Sequence, residues 1–231
     1  MDLLLLPGLN NTAAVFDEVI AHLPQGVSAR AIDLPPLATV EALADEVLAQ
    51  APQRFWLAGF SFGGYVAMAV LERAPERVLG IGLVCSSPRA DTPEQRAKRL
   101  EAIASAERGD YETTASTSKA PFHPDSLQRP QLLERRRAIV RAYGAQRYIA
   151  HVRATMERPD RMHLLDGCRP TLWVGASHDV VVPTAKQEAD AARVPGCAFV
   201  RIEGAGHLLP LEQPAALAKV LASWVQEARA S

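Results

Sequence analysis

The chain has too little charge imbalance, too few cysteines and too short an apolar run to fit several large protein classes. Lysines and arginines number 25 against 26 aspartates and glutamates, a formal net charge of −1. That balance leaves no electrostatic footprint for a nucleic acid or a membrane surface as main partner. Cys85, Cys168 and Cys197 are odd in number, far apart and without a C-x-x-C pair. They read as core thiols in a reducing compartment, not as a disulfide frame or a zinc site. The start, MDLLLLPG, lacks a basic leader, and its leucine run is far shorter than a signal core or a membrane span. A cytoplasmic location is expected. What is present is a 48% apolar composition over 231 residues, enough for a full core in one long α/β domain.

Short apolar runs alternate with longer amphipathic stretches, the pattern of a parallel sheet covered by helices. Strands are expected at 3–6, 27–32, 55–58, 78–84, 171–174 and 198–202. Helices are expected from Asn11 or Thr12 to Leu23, then at 40–50, from Phe62 to Arg73, at 186–193 and at 215–227. Residues 86–167 differ: helical in pattern, without a convincing strand and rich in arginine. We therefore expect a mainly parallel sheet of about six strands built from 1–87 and 168–231. Segment 88–167 is then a helical cap inserted in the same domain.

Gly59-Phe60-Ser61-Phe62-Gly63 fits G-x-S-x-G between an apolar strand and an amphipathic helix. A turn that tight holds its serine in a strained conformation and crowds the backbone two residues either side, where only glycine fits. The following helix points its positive end at the place where an oxyanion would form. No G-K-S/T follows, so a phosphate loop is excluded. Serine needs a base. His207, in Gly204-Ala205-Gly206-His207 after the last expected strand, is placed for it. His22 ends a helix, and His123, His151 and His163 sit in the insert. His178 would lie near the site, with no role assigned beyond packing or hydrogen bonding. The base needs a carboxylate to hold its tautomer. Asp179 follows the penultimate strand, and Asp91, after the fourth, is its rival. Oxyanion donors are expected from the backbone N–H of Phe62 and of Leu9, the latter beside Gly8.

The segments LLLLPGLNNT, DLPP, WLAGFSFGGYVAMAVLERAPERV, VGASHDVVVP and EGAGHLLPLEQP make the chain resemble the α/β-hydrolase superfamily over nearly its whole length. It looks most like the small capped esterases that include the pimeloyl-carrier-protein methyl ester esterases. The order Ser61, Asp179, His207 is that of the superfamily. The resemblance implies the α/β-hydrolase fold and an acyl-enzyme mechanism with neither cofactor nor metal. It further implies a small acyl substrate, with a carboxylic ester or thioester cleaved in a pocket shaped by the cap. Two departures are expected: Pro7-Gly8 stands where many relatives have His-Gly, and no pattern for the two antiparallel strands that usually come first precedes Leu3. The second leaves a trimmed sheet edge that a partner could use.

Two uses of the same residues stay open: carbon–carbon hydrolysis, lyase or perhydrolase chemistry, and a non-catalytic ligand receptor on the same fold. Within 129–161 of the insert, Arg129, Arg135, Arg136, Arg137, Arg141, Arg147, Arg153, Arg158 and Arg161 are opposed by only Glu134, Glu157 and Asp160. They are either solvated helix faces or a rim for an anionic substrate or an acidic carrier protein.

Overall fold

A computed structural model describes residues 2–165, 167 and 169–227. Cys168 lies outside the described residues. Six strands form one sheet in which every pairing is parallel: β1 (Asp2–Leu6), β2 (Ser28–Ala31), β3 (Phe55–Phe60), β4 (Val78–Val84), β5 (Thr171–Ala176) and β6 (Ala198–Ile202), ordered β2-β1-β3-β4-β5-β6. The four leucines of β1 explain why its sequence reads as an unbroken apolar run. Leu3 and Leu5 join one core with Phe16, Trp56 and Trp224, whereas Leu4 and Leu6 join the other with Leu43, Val66 and Trp173. Both faces of the sheet are buried, so polar residues have no face to occupy.

Helices α1 (Asp17–Ala21), α2 (Val40–Gln50) and α3 (Phe62–Arg73) follow the first three strands. Phe62 through Leu71 are all buried in α3, which packs against the sheet on one side and α2 on the other. The expected helix from Asn11 or Thr12 to Leu23 is shorter and broken. A 3-10 turn covers Ala13–Phe16, α1 ends at Ala21, and Thr12 makes no side-chain cap. Asp33 supplies the missing acceptor: its Oδ1 takes the Ala13 N–H at 2.7 Å. β3 and β5 each run two residues beyond the expected ends, because Gly59 and Phe60 pair with β4 and Gly175 and Ala176 pair with β6.

Between β4 and β5 come α4 (Pro93–Glu107), α5 (Tyr111–Thr117), α6 (Pro130–Tyr143) and α7 (Ala145–Glu157), with no strand. Thr92 and Gln95 form a reciprocal capping box ahead of α4, with Pro93 at its first turn. Gly144, at φ 77°, breaks α6 from α7. α4 packs on α7, and α5 on α6. The chain finishes with α8 (Thr184–Ala191), α9 (Leu209–Glu212) and α10 (Pro214–Glu227).

Candidate active site

The connection from β1 leads outward to β2, while β3 begins the half of the sheet that runs to β6. The loops after β1 and β3 therefore diverge, and a crevice opens at the carboxyl ends of these two strands. The sequence puts Gly8-Leu9 on one side of it and Ser61 on the other. Ser61 stands at φ 51°, ψ −116°, a conformation that costs a residue with a side chain about 1–3 kcal/mol. Local bonds hold it there. Its N–H donates to Val84 O at 2.9 Å, and its own carbonyl accepts from Gly64 N–H at 2.9 Å and Ser86 Oγ at 2.7 Å. A Cβ on Gly59 would fall 2.3 Å from Gly63 O, and one on Gly63 would fall 2.1 Å from Leu6 O. The glycines of the motif are there for this contact between strand and helix.

His207 follows β6, and its Nε2 lies 2.9 Å from Ser61 Oγ. Its Nδ1 lies 2.9 Å from Asp179 Oδ2. An ionised carboxylate only accepts, so Nδ1–H donates to Asp179, and Nε2 is left to accept the serine O–H. Asp179 is buried and held in turn by the N–H groups of Val181 and Val182, each 2.9 Å from Oδ1, and by Gln187 Nε2 at 3.2 Å. The imidazole packs on Phe60, ring centroids 5.3 Å apart. Such a chain of bonds can take the serine proton and stabilise the imidazolium that results.

Gly8 lies against the serine, since a Cβ there would be 3.0 Å from Ser61 Cβ. Leu9 and Ser61 line a cavity of about 320 Å³ together with His207, Ala106, Tyr111 and Tyr148. Helices α4 to α7 all contribute to its walls. Leu9, Ser61 and Phe62 also border a smaller space of about 110 Å³, next to Arg89 and Arg158. Ser61 sits where the two spaces meet.

Residues 3–220 match the family described as Alpha/beta hydrolase family. The chain belongs to the alpha/beta hydrolase family. It is 35% identical, over 50% of its length and 49% of the relative's, to a pimeloyl-[acyl-carrier protein] methyl ester esterase of Sodalis glossinidius; the match thus spans about half of that relative. A protein of the same name from Neisseria meningitidis is 29% identical over 96% of this chain and 76% of its own. Among solved structures, a thermophilic esterase from Thermogutta terrifontis, described with malate bound, superposes with a TM-score of 0.90 at 25% identity, covering 99% of this chain and 90% of that one.

Other residues singled out by sequence lie elsewhere in the chain. Asp91 does not reach His207. Its buried side chain accepts from Arg99 and pairs with Arg158 at 2.8 Å. Burial works against ionising this carboxyl, but the two guanidinium groups outweigh it and hold the pKa below the ordinary value. His178 stacks edge-on against His123 at 4.2 Å, away from the relay of hydrogen bonds. Cys85, buried at φ 46°, lies close to Asp179 and His207. Burial, with the Asp179 charge adding to it, pushes its thiol well above the usual range, so it presents S–H rather than a metal-binding thiolate.

Arg153 and Arg158 find carboxylates inside the insert, Glu107 and Asp91, whereas three other arginines find theirs outside it. Arg135 meets Asp17 and Glu18, Arg147 meets Asp33, and Arg161 meets Glu41 and Glu72. They fasten the insert to the core. Arg137 and Arg141 have no ion pair among the described residues and line an open groove between α5 and α6 with Lys119.

Two supports escaped the sequence reading. Buried Glu212 accepts the N–H groups of Gly206 at 2.9 Å and His123 at 2.7 Å, fixing the loop that carries His207. Neutral His151 stacks on Phe62 at 4.7 Å, donates from Nε2 to Pro35 O at 2.7 Å and accepts at Nδ1 from Tyr143 O–H at 2.6 Å. Burial lowers its pKa to about 4. A histidine on the apolar stripe of α7, among Val152 and Met156, was the available signal.

Proposed function

We propose that the chain is a serine esterase acting by two-step acyl transfer. Ser61 attacks an ester or thioester carbonyl while His207 takes its proton, and Asp179 holds the imidazole and its charge. The N–H groups of Leu9 and Phe62 receive the oxyanion. His207 then protonates the leaving group and activates the water that releases the acid. No cofactor or metal is needed for these steps. The observation that carries the reading is His207 bridging Ser61 and Asp179 at 2.9 Å on each side, at the wall of a cavity under the insert.

The acyl group occupies the larger space of about 320 Å³, and the leaving group the one of about 110 Å³. This favours a small alcohol or thiol as leaving group. Segment 88–167 is the cap of this enzyme, and 1–87 with 168–231 its catalytic core. A cytoplasmic setting belongs to the same reading: Cys85 and Cys197 are both unpaired, and nothing in the charge balance calls for a membrane or a nucleic acid. Among the described residues, no helix is long and apolar enough to cross a membrane.

A fluorophosphonate probe together with a short-chain p-nitrophenyl ester tests the assignment. Labelling should occur at Ser61, and Ser61→Ala should lower kcat by roughly 10⁴-fold or more. Hydrolysis undiminished in that variant, or a folded wild-type protein that refuses the probe, sinks the reading.

A further inference from the structure

On α6 the buried face runs Leu132, Arg136, Ile139, Val140 and Tyr143, so an arginine takes a place in an apolar stripe. Arg136 is 5% exposed. Its Nη1 donates to Asn10 O at 2.6 Å and to Asn11 Oδ1 at 2.8 Å. Both acceptors are neutral, and no carboxylate of the described residues pairs with it. The insert's other two buried arginines are served differently: Arg158 has Asp91, and Arg161 has Glu41 and Glu72. Removing a guanidinium from water without a counter-charge costs several kcal/mol. Burial lowers the pKa of Arg136 to about 10, which still leaves it charged at neutral pH.

Nε and Nη2 of Arg136 have no hydrogen-bond partner among the described residues. They are also not among the sealed, unpaired polar atoms, so they reach the open space that the side chain lines. Arg136 lines both the cavity holding Ser61 and His207 and the open groove between α5 and α6. Asn10, whose side-chain amide likewise has no protein partner, lines the same wall. The Nε–Nη2 edge of a guanidinium is the fork that receives a carboxylate through two parallel bonds.

We infer that the substrate brings the missing carboxylate: the enzyme takes half-esters of dicarboxylic acids, and Arg136 is the specificity-determining residue that binds their free acid end. The inference rests on the reading of Ser61 as nucleophile. The acid belongs to the acyl part, because Arg136 lines the larger cavity and not the smaller one beside Phe62. The chain between the two ends crosses apolar wall from Ala106, Ala115 and Leu208, which suits methylene groups.

Calorimetry on Ser61→Ala tests binding without turnover, with monomethyl adipate compared to the isosteric amide methyl adipamate. The acid should bind about tenfold tighter or more, as a charge-assisted pair predicts. Ser61→Ala/Arg136→Gln should bind the two equally, and Arg136→Lys in place of Gln should restore part of the preference. Because each comparison is a ratio within one protein, any loosening of the Asn10 loop cancels. Equal affinities in Ser61→Ala overturn the inference. Should the Arg136→Gln protein not fold, the wild type decides: methyl half-esters of glutarate, adipate or suberate must exceed their amides in kcat/KM, and no preference at any length overturns it. A wild type that hydrolyses none of them, beside a Ser61→Ala protein that binds the acid selectively, would refute the nucleophile and keep the carboxylate site.

Discussion

Asp179 shares its two oxygens among His207, the amides of Val181 and Val182, and Gln187. Each of these partners donates, so the site is built for an acceptor on every side. An asparagine there must turn its NH₂ toward either a backbone N–H or the imidazole. The first choice leaves donor facing donor, and the second forces the wrong histidine tautomer. Asp179→Asn should therefore fold but lower kcat by about 10⁴-fold with little change in KM, measured on the ester that Ser61→Ala fails to cleave. A residual rate near the wild-type value would remove Asp179 from its proposed role.

The elements are joined at a few places where a side chain crosses from the insert to the core. Asp91, just before α4, and Arg158, just after α7, close the ends of two helices that pack together, and both side chains are sealed from solvent. Removing one partner leaves the other buried and uncompensated, at a cost of about 3–5 kcal/mol. Asp91→Asn should therefore lower the free energy of urea unfolding by about 3 kcal/mol, while kcat per folded molecule stays within about threefold of wild type because the side chain does not touch His207. A loss of kcat as deep as that of Asp179→Asn would return Asp91 to candidacy. At the elbow, adding a Cβ to Gly63 must move β1 or α3, since the clash is with backbone at Leu6. Gly63→Ala is expected to yield little folded protein, read by its far-ultraviolet circular dichroism and melting temperature.

For the molecule as a whole, His151 couples stability to pH. Burial holds its folded-state pKa at about 4, below the 6.5 of a solvated histidine. The unfolded chain therefore takes up the proton first as pH falls, and stability is lost between about pH 6.5 and 4 while being fully present above that window. The span corresponds to at most about 3 kcal/mol. Replacing His151 with glutamine, which keeps a donor toward Pro35, should flatten that part of the stability curve. An unchanged slope between pH 4 and 6.5 would show that other groups set it.

How much of this could be read from the chain alone depends on the range of the interaction. Strand and helix identities, the G-x-S-x-G turn and the order of Ser61, Asp179 and His207 follow from local patterns: apolar periodicity, glycine at crowded backbone and polar residues just past strand ends. The boundaries moved where a neighbouring strand extended a pairing, as at Gly59 and Gly175, or where a distant side chain supplied a cap, as Asp33 does for Ala13. The choice between Asp179 and Asp91 needed distances, because both follow a strand. The arginines of the insert needed them still more: charge counted within 88–167 looks unbalanced, and only folding brings Asp17, Glu18, Asp33, Glu41 and Glu72 alongside. Sequence by itself determined the sheet, the elbow and the chemistry available at it, since these rest on contacts between near neighbours. Tertiary structure alone decided which charges are satisfied, and so left Arg136 facing the cavity without a carboxylate, since electrostatic partners are set by distance in space rather than along the chain.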